Sequence, residues 1–155
     1  MTTQTKTEFT SAGWDEYYKK LNEEITPKAI GDVIAQDIRD NPMLGIDFMG
    51  APLKPLSAKR IVQKIERGFP YPEKPMFASG QLGMATEAFE ISDTKAEVRV
   101  NNNRFRTEDN PFSSVTNIEL LDKHQSTRPI WGMGEKTLKK IREFISDISK
   151  RIAGR

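Results

Sequence analysis

The chain has 155 residues with no cysteine, 30% charged residues and a net charge of +2. That length suits one domain with a real core, and the missing thiols exclude a disulfide framework and any thiolate metal site, as fits a reducing cytosol. No apolar run approaches the ~18 residues of a membrane span, and the opening "MTTQTKTEFTSAG" lacks the apolar stretch of a signal peptide.

Residues 1–13 are polar and Thr-rich, and are expected to form a flexible N-terminal arm, with one domain over 14–155. Trp14, Tyr17, Tyr18 and Leu21 fall on one stripe, which predicts a helix over Trp14–Glu24. Thr26-Pro27 caps and starts a second helix with Ile30, Val33, Ile34 and Ile38 inward, and Asn41-Pro42 should end it. "NPMLGIDFMGAPLKPL" reads as a loop with apolar anchors. Ser57 should cap a third helix, Ala58–Arg67, with Ile61, Val62 and Ile65 inward and Gly68 as its stop. "FPYPEKPM" should be extended.

From about Thr86 the period becomes two. Phe89 and Ile91 alternate with Glu87 and Glu90, and after "SDTK" Ala96, Val98 and Val100 alternate with Glu97 and Arg99. This predicts an antiparallel hairpin with one wet face. Asn101–Ser114 is a long polar loop of the kind that is functional or disordered. Val115–Leu121 is expected as a third strand. Glu135 to about Ala153 should form a long amphipathic C-terminal helix burying Leu138, Ile141, Ile145, Ile148 and Ile152. The fold class is therefore α+β, with helices packed on a small, mostly antiparallel sheet.

Chemistry is sparse. His124, beside Asp122, could serve as a general base, but no nucleophile pattern accompanies it, and a surface or interface histidine is the simpler reading. There is no histidine pair, Glu23, Glu24, Asp37 and Asp40 fall on separate helical faces, and no phosphate-loop pattern occurs. Neither an enzyme nor a cofactor or metal site is expected. The last helix carries Lys136, Lys139, Lys140 and Arg142, a basic strip that could face DNA or form an ordinary solvated face. Trp131 could stack on a base, but packing against the helix start or a neighbouring subunit suits it better.

Three segments carry a family resemblance. "GAPLKPLSAKRIVQKI" (Gly50–Ile65) resembles a G-x-P-x-x-P-L-S-x-x-T lead into a helix. "MFASGQLGMATEAFEI" (Met76–Ile91) resembles an L-x-x-T/S-G-x-L-x-x-S step into a hairpin. "TRPIWGMGEKTLKKI" (Thr127–Ile141) resembles a P-x-R-P-F-L-G-L-S-x-x-D lead into a final helix. In this order they resemble the virion-morphogenesis, or tail-completion, family of Mu-like and P2-like contractile-tailed phages. Trp131 stands where that family usually has Leu, "LLDKHQS" lacks its aromatic-plus-Gly step, and the first 40 residues carry none of the pattern.

The resemblance implies a structural virion protein of the neck, a tail-completion or tail-terminator subunit that joins the tail to the head connector. It implies a homo-oligomeric ring, hexameric by analogy with tail symmetry, whose partners are the tail tube, sheath or connector. Non-specific contact with passing genomic DNA is a further expectation, with no membrane and no small-molecule substrate. Location would be the virion, and the host cytoplasm during assembly. The interface residues it suggests are Arg128, Pro129 and Trp131; the length and Asn/Arg mixture of the polar loop add Arg104 and Arg106, facing an adjoining ring or solvent. Pro129 would fix the backbone, Arg128 tie down carbonyls, and Gly132 and Gly134 allow a sharp turn before the last helix.

Overall fold

A computed structural model describes residues 11–77, 80–101 and 116–154. The order is α1 (Ser11–Glu24), α2 (Pro27–Leu44), α3 (Ala58–Glu66), α4 (Gln81–Met84), β1 (Thr86–Ser92), β2 (Lys95–Val100), α5 (Asn117–Gln125) and α6 (Glu135–Ala153). The class is α+β, with a two-stranded sheet among the described residues. Ser11–Gly13, read as arm from the sequence, belong to α1. The rest of that arm, and nearly all of the loop 101–114, lie outside the described residues.

Helix α2 is the centre of the packing. The Thr26 hydroxyl accepts from the Ala29 amide at 3.1 Å, and Pro27 occupies the first turn. One side lies on the hairpin, where β1 and β2 pair antiparallel from Thr86↔Val100 to Ser92↔Lys95. Gly31 makes this approach possible, since a Cβ there would sit 3.0 Å from the Ala88 Cβ. The other side meets α6, and α1 in turn lies on α6. Covered from two directions, α2 buries its small residues, Gly31 and Ala35, together with Ile38, while Ile30, Val33 and Ile34 are half-buried.

The predicted stop at Pro42 is not where α2 ends. The helix runs on to Leu44, and its end is built by Gly45 (φ 68°). The Gly45 amide donates to the Pro42 carbonyl at 3.2 Å and the Ile46 amide to the Asn41 carbonyl at 3.0 Å. This is a Schellman closure. A proline in the last turn removes one amide donor, and the left-handed glycine three residues on decides the boundary.

Asn117–Gln125 is helical, where a strand was expected over Val115–Leu121. Thr116 and Glu119 form a reciprocal cap: Thr116 Oγ1 accepts from the Glu119 amide at 3.3 Å, and Glu119 Oε2 accepts from the Thr116 amide at 2.8 Å. The Thr116 amide and then its hydroxyl, which donates to Glu119 Oε2 at 2.9 Å, hold the Glu119 carboxyl below its usual pKa. The T-x-x-E signature outweighs the local β propensity of Val115–Ile118.

Burial departs from the apolar pattern in three elements. In α3, Val62 and Ile65 are exposed and Lys64 is buried. In the hairpin, Thr86 and Ala88 face α2; Phe89 lies on the wet face under Arg99, 4.1 Å from ring centre to guanidinium carbon, and Ile91 is exposed. In α6, Thr137, Ile148 and Ile152 are buried, whereas Leu138 is 37% exposed. The capped start of α3 (Ser57 Oγ to the Arg60 amide, 3.3 Å) and its stop at Gly68 (φ 72°) are as expected. "FPYPEKPM" forms turns rather than an extended run, because it wraps around the Lys64 ammonium.

Candidate functional site

The segment from Arg128 to Gly134 turns the chain from α5 into α6, and it is anchored at nearly every residue. The Arg128 amide donates to the His124 carbonyl at 2.7 Å, which folds the chain back at the end of α5. The Arg128 guanidinium donates through Nε to the Lys54 carbonyl at 3.1 Å and through Nη2 to the Pro55 carbonyl at 3.3 Å. The Pro129 carbonyl accepts from the Phe48 amide at 3.0 Å. Buried Ile130 offers its carbonyl to Asn41 Nδ2 at 2.8 Å, and the Trp131 carbonyl accepts from Gln125 Nε2 at 2.6 Å.

The side chains complete the elbow. Ile130 packs with Leu53, Leu82 and Leu121, and half-buried Trp131 lies against that cluster. Gly132 has φ 154°, and a Cβ there would stand 2.9 Å from Cγ of Phe48. At Gly134 a Cβ would meet Met49 Sδ at 2.8 Å and the Phe48 carbonyl at 2.9 Å. Both glycines are needed so that the elbow can press on loop 46–55. The Arg128 guanidinium and the Pro129 and Trp131 carbonyls are bound by Lys54, Pro55, Phe48 and Gln125 of the same chain. Arg104 and Arg106 lie outside the described residues. Beside the elbow, Met49 and Met133 are 57% and 52% exposed.

A second cluster was not foreseen. Asp37 on α2 has no exposed side-chain surface. Its Oδ1 accepts from Lys136 Nζ at 2.5 Å and lies 2.7 Å from Lys140 Nζ, and its Oδ2 accepts from the Thr137 hydroxyl at 2.7 Å. Lys136 Nζ also donates to Asn41 Oδ1 at 2.9 Å. Burial pushes the Asp37 carboxyl up, but the hydrogen bonds from Lys136, Lys140 and Thr137 outweigh it and hold it below its usual range. Burial likewise disfavours the Lys140 charge, and the Asp37 hydrogen bond and negative charge more than compensate, raising Lys140.

The basic strip read on α6 therefore divides. The ammonium groups of Lys136 and Lys140 turn inward to Asp37 rather than outward toward DNA. Lys139 and Arg142 are exposed, 3.9 Å from Glu143 and 2.9 Å from Glu135. The cue was the i, i+4 pair Asp37 and Asn41 opposite Lys136, Thr137 and Lys140, which is visible only once α2 and α6 are paired.

The third feature is a cavity of about 530 Å³ between α3, α5 and the turns after α3, lined by Lys54, Arg60, Lys64, Lys74, His124 and Arg128 over Leu56, Met76, Phe77 and Leu120. The Lys64 ammonium is satisfied by three carbonyls, Tyr71 at 3.1 Å, Lys74 at 2.7 Å and Phe77 at 2.5 Å. Burial, then the charge of Arg60, lower its pKa, opposed by Glu73. Lys64 so acts as a strut for the turns. His124, the one histidine, is half-buried at the cavity wall, while Asp122 is exposed.

Among the described residues no group of three His, Asp or Glu side chains could hold a metal ion, and no helix is long and apolar enough to cross a membrane. No family model, no curated protein and no solved structure matches the chain.

Proposed function

We propose that the chain is a structural subunit of a contractile-tailed phage neck, a tail-completion or tail-terminator protein that assembles as a homo-oligomeric ring between tail and head connector. The observation that carries this reading is the convergence of the three segments bearing the family resemblance. Leu53 from the first, Leu82 from the second and Ile130 from the third share one core cluster. Arg128 of the third binds carbonyls of the first, and Lys64 of the first binds the Phe77 carbonyl of the second.

The elbow supplies a fixed geometry for a repeating subunit. Arg128, Pro129 and Trp131 build it from within, and exposed Met49 and Met133 offer the apolar surface beside it to a neighbouring copy. The role is architectural, so the protein works by shape and contact.

Electron microscopy of particles assembled without this chain tests the proposal. Filled heads and tails that remain separate, or tails of uncontrolled length, are the expected outcome. Intact, infectious particles would overturn it.

A further inference from the structure

The positive charge on this protein is unevenly compensated. The cations of α1, α2, β2 and α6 are largely paired: Lys20 with Glu16, Lys28 with Asp32, Lys95 with Glu97, Arg142 with Glu135, and Arg151 with Glu24. Around the cavity pairing is sparser, with Glu73 acting on Lys64 from a distance. Among the described residues, no carboxylate lies within ion-pair distance of Lys54, Lys59, Arg60 or Lys74. Lys54, Lys59 and Arg60 are exposed. Arg60 shares only an Nη1 hydrogen bond with Gln63. Lys74 Nζ donates to the Met43 carbonyl at 2.6 Å and to Met43 Sδ at 3.3 Å, which leaves one donor for another acceptor.

Aromatic rings interleave with this charge. Tyr71, 39% exposed, meets Phe77 edge-on at 5.4 Å between centroids and carries the Lys74 ammonium 4.6 Å from its centre. Phe77 lines the cavity itself. Cations without a carboxylate partner around a groove, with the Phe77 ring in its wall, match the requirements of a nucleic acid strand: charges for successive phosphates and a plane for a base.

We propose that this cavity and the adjoining face of α3 bind the phosphate backbone of a nucleic acid without sequence preference. An acidic peptide is the competing occupant. It is less favoured because the cations extend past the cavity onto Lys59 and because carboxylates make no use of the ring faces. The site is distinct from α6, where Lys136 and Lys140 bind Asp37 and Arg142 binds Glu135. It does not rest on ring assembly.

The test is fluorescence anisotropy of the full chain with a labelled oligothymidylate and, separately, a labelled duplex of equal length, across a salt series. The two arms separate single-stranded from double-stranded sources. Binding should weaken steeply with salt. Lys54→Glu combined with Arg60→Glu should cost about tenfold or more at low salt and reduce the salt slope by about two. The neutral pair Lys54→Gln and Arg60→Gln, with circular dichroism to verify the fold, should show a smaller loss in the same direction. Lys139→Glu with Arg142→Glu should change affinity by less than about threefold, since each loses only a screened surface contact. Three results would overturn the proposal: no binding of either probe at low salt, binding that survives reversal at Lys54 and Arg60, or displacement of both probes by polyglutamate of matched charge.

Discussion

Asp37 and Lys136 meet at 2.5 Å inside the α2–α6 contact, the carboxylate without exposed surface and the lysine side chain 21% exposed. This pair fixes the azimuth of the last helix against the central one, because Thr137 and Lys140, one and four residues on, bind the same carboxylate. Removing one partner of such a pair strands the other. Asp37→Ala should therefore lower stability by about 1–3 kcal/mol, since Lys136 and Lys140 keep part of their side chains in solvent. Lys139→Ala, which breaks an exposed contact to Glu143, should cost less than about 0.5 kcal/mol. Urea midpoints of the two variants test the contrast; equal, small shifts would show that the cluster does not hold the helices.

The same cluster sets a pH dependence. The folded Asp37 carboxyl titrates below its usual value of 3.8, so its contribution is present above that pH and disappears as the pH falls through the lower folded value. Folded Lys140 titrates above its usual value of 10.5, so its contribution is present below that pH and is lost as the pH rises through the higher folded value. Stability should be level through neutrality with losses at both ends. In Asp37→Asn both ends should flatten, since the Lys140 shift depends on the same carboxylate. Denaturant titrations at a series of pH values measure this.

Glycines at the elbow and at the end of α3 should respond differently to a methyl group. Gly68 is left-handed but open, with nothing within 4 Å of a Cβ, so Gly68→Ala should cost only the conformational term, about 1–2 kcal/mol. Gly132→Ala adds contact with the Phe48 ring at 2.9 Å to its own backbone strain. Its loss should exceed that of Gly68→Ala, and Phe48→Leu in the Gly132→Ala background should recover part of it. Thermal midpoints of the three variants decide; no recovery would mean that the ring does not press on residue 132.

What the sequence made legible was whatever depends on nearest neighbours along the chain. Thr26-Pro27, Ser57 and Gly68 mark helix ends by local hydrogen bonding, and they stand where expected. Thr116 and Glu119 carry an equally local signal that the β-branched run around Val115 concealed. The facing of each element was harder, because it is decided by partners distant in sequence. Lys64 is buried since the turns of 71–77 supply three carbonyls, and Val62 and Ile65 are displaced outward as a result. In the sequence Asp37 was only one of four acids on separate helical faces; its partners Lys136 and Lys140 stand about a hundred residues on. At the elbow, the stiffening role of Arg128, Pro129, Gly132 and Gly134 was readable, whereas the surface it presses against, Phe48 and Met49, was not.

Trp131 and Met133 should part company experimentally. Trp131 packs on the Leu53–Leu82–Leu121–Ile130 cluster, so Trp131→Ala should cost folding stability, up to about 3–5 kcal/mol. Met133 and Met49 are exposed, and Met133→Ser or Met49→Ser should leave the denaturant midpoint within about 0.5 kcal/mol of the parent. Any effect of the methionine variants on assembly then reports an interface and not a damaged fold. Loss of midpoint in Met133→Ser would place that residue in the core instead.

The central claim, a subunit that repeats around a ring, is tested most directly by the solution mass of the full chain, measured by sedimentation equilibrium over a wide concentration range. The account predicts a discrete closed species at an integer multiple of 17.6 kDa, depleted by Met49→Ser and Met133→Ser while folding is unchanged. A single 17.6 kDa species at every concentration, or an open series of sizes without a closed end point, would contradict it.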